Sequence, residues 1–317
     1  MNIIIIGAGS MGREYIKSLY SLGYCKLGVL SNTEKSASLI KQEYSFVDAY
    51  HGGLDTLPHI IQDYDAAIIA SPIETLLSYL RELCIFGIDK ILVEKPVALS
   101  SSLLNEFISQ YPHCNAMVAF NRLYFPSVLK LRQRLKREIV RSAEFSFTEW
   151  VHRINVNQYS MEVMRYWGAS NCIHVLSTVF DLIGKPISLS SNSSGFDDID
   201  WHPSGSIFCG SGITERDVLF SYMSDWGSAG RWTITIRTDK GAYFLEPMET
   251  LQFLPKGTVE REMLVAQSTT LEKCGLPAML DMWLRSDVVD TRSSLQRAFE
   301  VLTITENIMY NSNCNRH

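Results

Sequence analysis

Six residues near the N-terminus, Gly7-Ala8-Gly9-Ser10-Met11-Gly12, restrict this chain more than any others. They follow the unbroken apolar run Ile3-Ile4-Ile5-Ile6 and lead into Met11 to Leu22, where apolar residues recur at helical spacing. A short run apolar at every position fits a strand buried on both faces, as in a parallel sheet covered by helices. The spacing G-x-G-x-x-G between such a strand and such a helix is the pattern of a dinucleotide-binding turn. In that pattern Gly7 permits the tight turn, Gly9 lets a pyrophosphate approach the backbone, and Gly12 lets the helix pack closely on the strand. Amide donors and the positive end of the helix dipole complete an anion site. Gly7, Gly9, Ser10, Met11 and Gly12 are therefore the expected pyrophosphate contacts.

The following hundred residues alternate strand and helix signals. Leu27 to Leu30, Ala66 to Ala70, Ile91 to Val93 and Ala116 to Ala119 read as short strands, and Glu74 to Phe86 as a helix. This predicts a Rossmann doubly wound parallel sheet over residues 1–120. The acid that would hold an adenosine ribose at the end of the second strand is missing, and Ser31-Asn32 stand there instead. Without that acid a 2′-phosphate is not repelled, and Lys35 lies close by in sequence, so the cofactor reads as NAD(P), leaning to NADP. Glu34 argues the other way, and Lys35 also fits a solvated helix position.

Beyond residue 121 the pattern changes. Ala143, Phe145 and Phe147 alternate with Glu144, Ser146 and Thr148, the mark of a half-buried strand. Further strands are expected at Ser206 to Cys209, Val218 to Tyr222, Trp232 to Arg237 and Ala242 to Leu245. The last two flank the hairpin signal Thr238-Asp239-Lys240-Gly241. Trp167 to Leu182 is a strongly apolar helix, and Leu276 to Trp283 and Ser294 to Met309 read as closing helices. Residues 121–317 are thus expected to form an α+β domain with a large open, mostly antiparallel sheet. A length of 317 residues suits two domains.

The net charge of −5 gives no reason to expect nucleic acid or an anionic membrane as partner. No apolar run reaches the roughly 20 residues of a membrane span, and the N-terminal run reads as a first strand, not a signal peptide. Seven scattered cysteines, without a C-x-x-C pair, suggest reduced thiols in a cytoplasmic protein, most of them buried as small hydrophobes, and no metal site.

Val93-Glu94-Lys95-Pro96 follows a strand of the first sheet. A lysine at the carboxyl end of such a strand faces the crevice where open α/β sheets bind ligands, and there it can hydrogen-bond a hydroxyl and help move its proton. An E-K-P tripeptide alone is also a common surface turn. The glycine loop, Glu94-Lys95-Pro96 and Asn121-Arg122-Leu123-Tyr124-Phe125-Pro126 follow one another at a spacing that resembles the glucose–fructose oxidoreductase / inositol dehydrogenase (Gfo/Idh/MocA) family. The resemblance covers essentially the whole chain and is most specific over the first 125 residues. It implies hydride transfer between a nicotinamide and a sugar, cyclitol or related polyol, and a second domain whose open sheet pairs subunits into a homodimer or homotetramer.

Residue by residue, the resemblance assigns catalysis to Lys95 and to His174 on the apolar helix, where an imidazole can exchange a proton at neutral pH. It places Ser71-Pro72 beside the adenosine, Glu94, Lys95 and Asn121 at the cofactor, and Arg122, Tyr124 and Asn171 at the substrate. Two positions depart from the family pattern. Ser170, followed by Asn171, replaces the aspartate of a D-x-x-x-H motif, and neither residue can carry negative charge at neutral pH. Leu76 stands where many members have a histidine. Trp150, His152, Arg153, Trp201, His202, Trp226 and Trp232 are further candidates, since indoles stack on sugars and Arg153 suits a carboxylate or phosphate. The run from Asn121 to Tyr166 with Trp201-His202-Pro203 resembles family members associated with surface-polysaccharide sugars, which points to a nucleotide sugar or acidic sugar. Two rival readings stay open: a non-catalytic dinucleotide-binding sensor or subunit, and an enzyme that uses its cofactor only transiently.

Overall fold

The computed structural model describes residues 1–267 and 273–310. The chain forms two compact units, one of residues 1–121 with 273–300 and the other of residues 122–267 with 301–310.

In the first unit, β1 (Ile3–Ile6), α1 (Ser10–Ser21), β2 (Leu27–Ser31), α2 (Glu34–Glu43) and β3 (Asp48–His51) follow in turn. Then come α3 (Leu57–Ile60), β4 (Ala66–Ile69), α4 (Leu76–Ile85), β5 (Lys90–Val93), α5 (Ser101–Gln110) and β6 (Met117–Val118). The six strands are parallel in the order β3-β2-β1-β4-β5-β6. This is the doubly wound arrangement, and its order reverses between β1 and β4, where such sheets open a ligand crevice at the strand carboxyl ends. Ile3, Ile4, Ile5 and Ile6 are at most 1% exposed, as a central strand covered on both faces requires. Three elements, α3, β3 and α5, escape the sequence pattern. β3, Asp48-Ala49-Tyr50-His51, is an edge strand with no apolar run, and α5 is marked by its cap, with Ser100 Oγ accepting from the Leu103 amide at 3.4 Å.

In the second unit, α6 (Pro126–Leu135) leads into β7 (Val140–Phe147), α7 (Met161–Arg165) and α8 (Ile173–Ile183). The remaining strands are β8 (Pro186–Ser194), β9 (Ile207–Thr214), β10 (Leu219–Asp225), β11 (Trp232–Thr238), β12 (Gly241–Leu245), β13 (Leu251–Pro255) and β14 (Glu262–Val265). The sheet runs β14-β13-β12-β11-β7-β10-β9-β8, antiparallel throughout except for the pair β7 and β10. One face of its centre packs on α8. Phe145 of β7 meets Phe180 of α8 edge-on at 5.7 Å and stacks on Tyr222 of β10 at 5.4 Å. Along β10, Phe220 and Tyr222 point inward, while Leu219 and Met223 are 61% and 57% exposed. The apolar helix expected from Trp167 begins with a wide π-helical turn over Gly168–Cys172 and becomes regular only as α8.

The chain then returns to the first unit through α9 (Leu276–Arg285), which packs on α1 by burying Leu276, Met279, Leu280 and Trp283. Lys90 Nζ, at the head of β5, donates to the carbonyls of Leu284 and Ser286 at 2.9 and 3.2 Å. The final helix is α10 (Leu295–Met309).

No helix among the described residues is long and apolar enough to cross a membrane. Of the six described cysteines only Cys172 is buried, whereas Cys25 is exposed and the others lie between. The expectation of mostly buried thiols is thereby corrected: the apolar positions of these elements are filled by larger aliphatic side chains. Cys314 lies outside the described residues.

Phe145 is 2% exposed at the middle of the aromatic layer. Phe145→Ala is expected to cost about 3–5 kcal/mol. In urea unfolding the midpoint should fall with an unchanged slope.

Candidate active site

The glycine loop meets the steric demands of a pyrophosphate cradle. Gly7 has φ of 124°, and a Cβ on it would lie 2.3 Å from the Ala70 carbonyl oxygen of β4. A Cβ on Gly12 would lie 2.0 Å from the Gly7 carbonyl oxygen, so the first turn of α1 sits directly on the loop. Gly9 differs, since a Cβ there would meet nothing within 4 Å. Its backbone thus borders open space, as an approaching phosphate requires. The amides of Ser10, Met11 and Gly12 precede the first intrahelical bond, from Arg13 N–H to Gly9 O at 3.1 Å. No acidic side chain occupies the first turn to compete for them. Lys273 adds a cation that the glycine pattern did not reveal, with Nζ 2.7 Å from Met11 Sδ. This donor set fits a dinucleotide.

At the end of β2, Ser31 is 5% exposed and its hydroxyl donates to the carbonyls of Thr33 and Tyr50 at 2.9 and 3.2 Å. Exposed Asn32 accepts from Tyr79 OH at 3.2 Å, and Lys35 is exposed on α2. After β4, Ser71 Oγ accepts from Thr75 Oγ1 at 2.9 Å, with Pro72 exposed beside it. Leu76, at 0% exposure, is a core residue of α4.

Glu94 and Lys95 leave the carboxyl end of β5. Glu94 Oε1 accepts from Tyr15 OH of α1 at 2.7 Å, which ties the lysine loop to the phosphate helix. Burial and the Glu94 carboxylate hold the Tyr15 hydroxyl well above its ordinary pKa, so it acts only as a donor. Lys95 is half-buried, and Val97 two residues on is fully buried with φ of 76°. A β-branched residue there costs about 1–3 kcal/mol and persists only where its surroundings enforce it. Asn121, 6% exposed, donates from Nδ2 to the Cys274 carbonyl at 3.1 Å.

The second unit gathers another set. His174, 3% exposed on α8, has its ring 5.5 Å from that of Trp232 on β11. The Arg122 guanidinium lies 5.3 Å from the Trp232 ring centre, and Tyr124 is 3% exposed. Ser170 Oγ donates to the Tyr166 carbonyl at 3.3 Å. The Asn171 side chain, in the same π-helical turn, donates from Nδ2 to both oxygens of Glu149, each at 2.9 Å.

Glu149 is the residue that sequence reasoning missed. It lies just past β7 at 2% exposure of its side chain and also accepts from Trp232 Nε1 at 3.0 Å and from Arg231 at 3.1 Å. Burial is the strongest influence on its carboxyl and pushes it up from the usual range, while Arg231 and the donors from Trp232 and Asn171 pull it down. Every group bonded to its oxygens is a donor, which suits the acceptor-only carboxylate. No sequence spacing marked it: Thr148 continues the polar alternation in sequence, yet in the structure Thr148 and Glu149 are both buried.

The tryptophan and histidine candidates divide. His202 is fully buried, bonded through Nδ1 to the Gly205 carbonyl at 2.9 Å and packed 4.6 Å from Trp226, and burial lowers its pKa to about 4. It is a neutral core residue at physiological pH. Trp150 is 38% exposed, with its Nε1 on the Gly230 carbonyl at 2.8 Å, and His152 and Arg153 are exposed beside it. No group of His, Cys, Asp and Glu among the described residues could hold a metal ion.

Gly12→Ala should displace the loop and abolish NADH binding in a fluorescence titration, because the obstacle is backbone and cannot rotate away. Glu149→Leu removes one partner of a buried ion pair, a change that costs about 3–5 kcal/mol. The lower end is expected, since Arg231 keeps 35% side-chain exposure; thermal unfolding reads it.

Residues 1–119 match the model of an oxidoreductase family with an NAD-binding Rossmann fold, Gfo/Idh/MocA. Comparison with curated proteins gives no match. Among solved structures, an oxidoreductase from Agrobacterium radiobacter in complex with NAD+, L-tartaric acid and magnesium superposes with a TM-score of 0.81 at 13% identity, covering 100% of this chain and 97% of that one. A Gfo/Idh/MocA family oxidoreductase from Vibrio cholerae gives 0.78 at 17% identity, over 98% and 97% of the two chains. The UDP-N-acetylglucosamine 3-dehydrogenase of Acidithiobacillus ferrooxidans gives 0.75 at 15% identity, over 97% and 96%. Identities this low carry the fold alone. Residues 1–119 are similar to the NAD-binding Rossmann domain of the Gfo/Idh/MocA oxidoreductases, and the whole chain has the fold of the solved oxidoreductases that it matches.

Proposed function

We propose that this protein moves a hydride between a nicotinamide dinucleotide and a secondary alcohol or ketone of a sugar or sugar derivative. The observation that carries the reading is the pairing, in one unit, of a loop open only at Gly9 with a lysine at the carboxyl end of β5. In this reading residues 1–120 bind the dinucleotide, and residues 121–317 take the substrate and pair subunits through the open sheet, whose outward Leu219 and Met223 suit burial against another copy.

The dinucleotide supplies or accepts hydride at its nicotinamide ring. The protein's own part is position, proton traffic and exclusion of water. Lys95 donates a hydrogen bond to the reacting oxygen and holds its proton as charge develops there. In the second unit His174 is the proton-exchanging group of this reading, and Arg122, Tyr124 and Asn171 are its contacts to substrate hydroxyls. Because Glu149 takes both contacts from the Asn171 amide nitrogen, the amide presents Oδ1 as an acceptor for a substrate hydroxyl. The cofactor assignment leans to NADP, since no acid stands at Ser31-Asn32 and Lys35 is exposed nearby. A nucleotide sugar of surface-polysaccharide synthesis is the substrate class that the exposed Trp150 and the UDP-N-acetylglucosamine dehydrogenase neighbour favour. Cys25, Cys84, Cys114 and Cys209, none of them in a disulfide, suit the cytoplasm.

A second reading, a non-catalytic dinucleotide sensor, is favoured by Ser170, whose hydroxyl is bonded to a backbone carbonyl where a carboxylate would be available for chemistry. Substrate-dependent change in nicotinamide absorbance decides against it.

Titration of the purified protein with NADPH and NADH, followed by fluorescence, should show binding with NADPH the tighter. Absence of binding to either would defeat the proposal. Lys95→Met should lower turnover by about 100- to 10,000-fold while cofactor affinity is retained. Unchanged turnover removes the lysine from the mechanism.

A further inference from the structure

Cationic and aromatic side chains alternate in the second unit, from exposed Arg153 and Trp150 inward to buried Trp232. The Arg153 guanidinium lies 4.7 Å from the centre of the Trp150 ring. The Arg231 guanidinium lies 5.0 Å from the same ring and 4.3 Å from that of Trp232, on which Arg122 also rests at 5.3 Å. Arg153 and Arg231 share the Trp150 indole, and Glu149, the carboxylate bonded within the group, accepts from Arg231. Arg153 has no carboxylate within ion-pair distance among the described residues. Like charges gathered at such spacing repel unless an anion joins them.

Arg231 is also held in place. Glu149, 2% exposed, fixes one terminal nitrogen at 3.1 Å, and the two indoles border the guanidinium. A guanidinium carries five N–H donors in a planar fork. With 35% of its side chain exposed, Arg231 keeps donors for a ligand in an orientation it need not lose entropy to adopt. Trp150, 38% exposed and anchored through Nε1 at Gly230, offers a ring face beside both arginines. Planar forks of this kind match the paired oxygens of phosphoryl and carboxyl groups.

We infer that Arg153 and Arg231, on the Trp150 indole, form a clamp for an oxyanion carried by the substrate. The inference rests on the proposed sugar-binding role of this unit only in naming the anion as the substrate's. It makes the substrate an anionic sugar derivative and excludes a neutral polyol as the preferred ligand.

The test is calorimetric titration of the full chain at low ionic strength with UDP, inorganic pyrophosphate and glucuronate, with myo-inositol as the neutral control. Arg153→Ala and Gly12→Ala are run alongside. Binding of at least one anion, weakened about 10- to 100-fold by Arg153→Ala and untouched by Gly12→Ala, is expected for loss of a hydrogen bond to a charged group. Binding of UDP and pyrophosphate alone identifies a phosphoryl group, and binding of glucuronate a carboxylate. No anion binding, binding indifferent to Arg153, or binding lost in Gly12→Ala instead overturns the clamp. The two proposals separate cleanly. NADH binding without Arg153-dependent anion binding defeats only the clamp, whereas the reverse result defeats only the dinucleotide reading.

Discussion

The first unit depends on a contact between backbones. The carbonyl of Gly7 reaches the first turn of α1 so closely that only a hydrogen atom fits at Gly12, and Gly7 itself fits beneath the Ala70 carbonyl of β4 only without a side chain. These two approaches hold the start of α1 over the point where the sheet order reverses, between β1 and β4. The helix amides and the strand ends then serve one crevice. The bond from Tyr15 of α1 to Glu94 carries the same helix to the lysine loop after β5, so the phosphate cradle and Lys95 share one support.

The second unit is organised around a charge. Glu149 lies just past the half-buried strand β7 and takes donors from three directions: the indole of β11, the guanidinium preceding that strand, and the amide of the π-helical turn before α8. A π-helical turn widens the helix by one residue and is often found at functional sites. Here it brings Asn171, not Ser170, to the carboxylate. The carboxylate bonded to this turn therefore comes from a different element, the residues just past β7. Its burial would be unfavourable alone, and the donors around it offset that cost while fixing the rotamers of Trp232 and Asn171.

Much of the first unit was legible because each of its features is local. An apolar run of four, a glycine spacing and the following helix stand next to one another in sequence, so their geometry can be read without the rest of the fold. The β3 edge strand was not, since Asp48-Ala49-Tyr50-His51 gains its pairing from β2 and has no apolar pattern of its own. The return of α9 to α1 was hidden for another reason: an amphipathic helix shows which face it buries but not the partner that covers it. The same limit applied to Glu149. Its donors Asn171, Arg231 and Trp232 lie 22 to 83 positions away, and no spacing rule links them. His202 illustrates the converse, since a Trp-His pair resembled a sugar site but is filled by its own aromatic neighbours.

Charge distribution also explains why composition said little about the ligand. A net charge of −5 describes the whole chain and forbids a strongly cationic surface only on average. Electrostatic interaction in salt solution fades beyond about 10 Å, so a ligand senses the few side chains around it. Around Trp150 and Trp232 those are arginines, stacked on rings that hold them without neutralising them. A ring face attracts a guanidinium through its quadrupole and leaves its N–H edge for other partners. An ion pair in place of each indole would fix the arginines as firmly but would consume the charge that an anionic substrate needs. The buried carboxylate of Glu149 secures the position of Arg231, while Arg153 rests on the Trp150 ring with no carboxylate within ion-pair distance among the described residues.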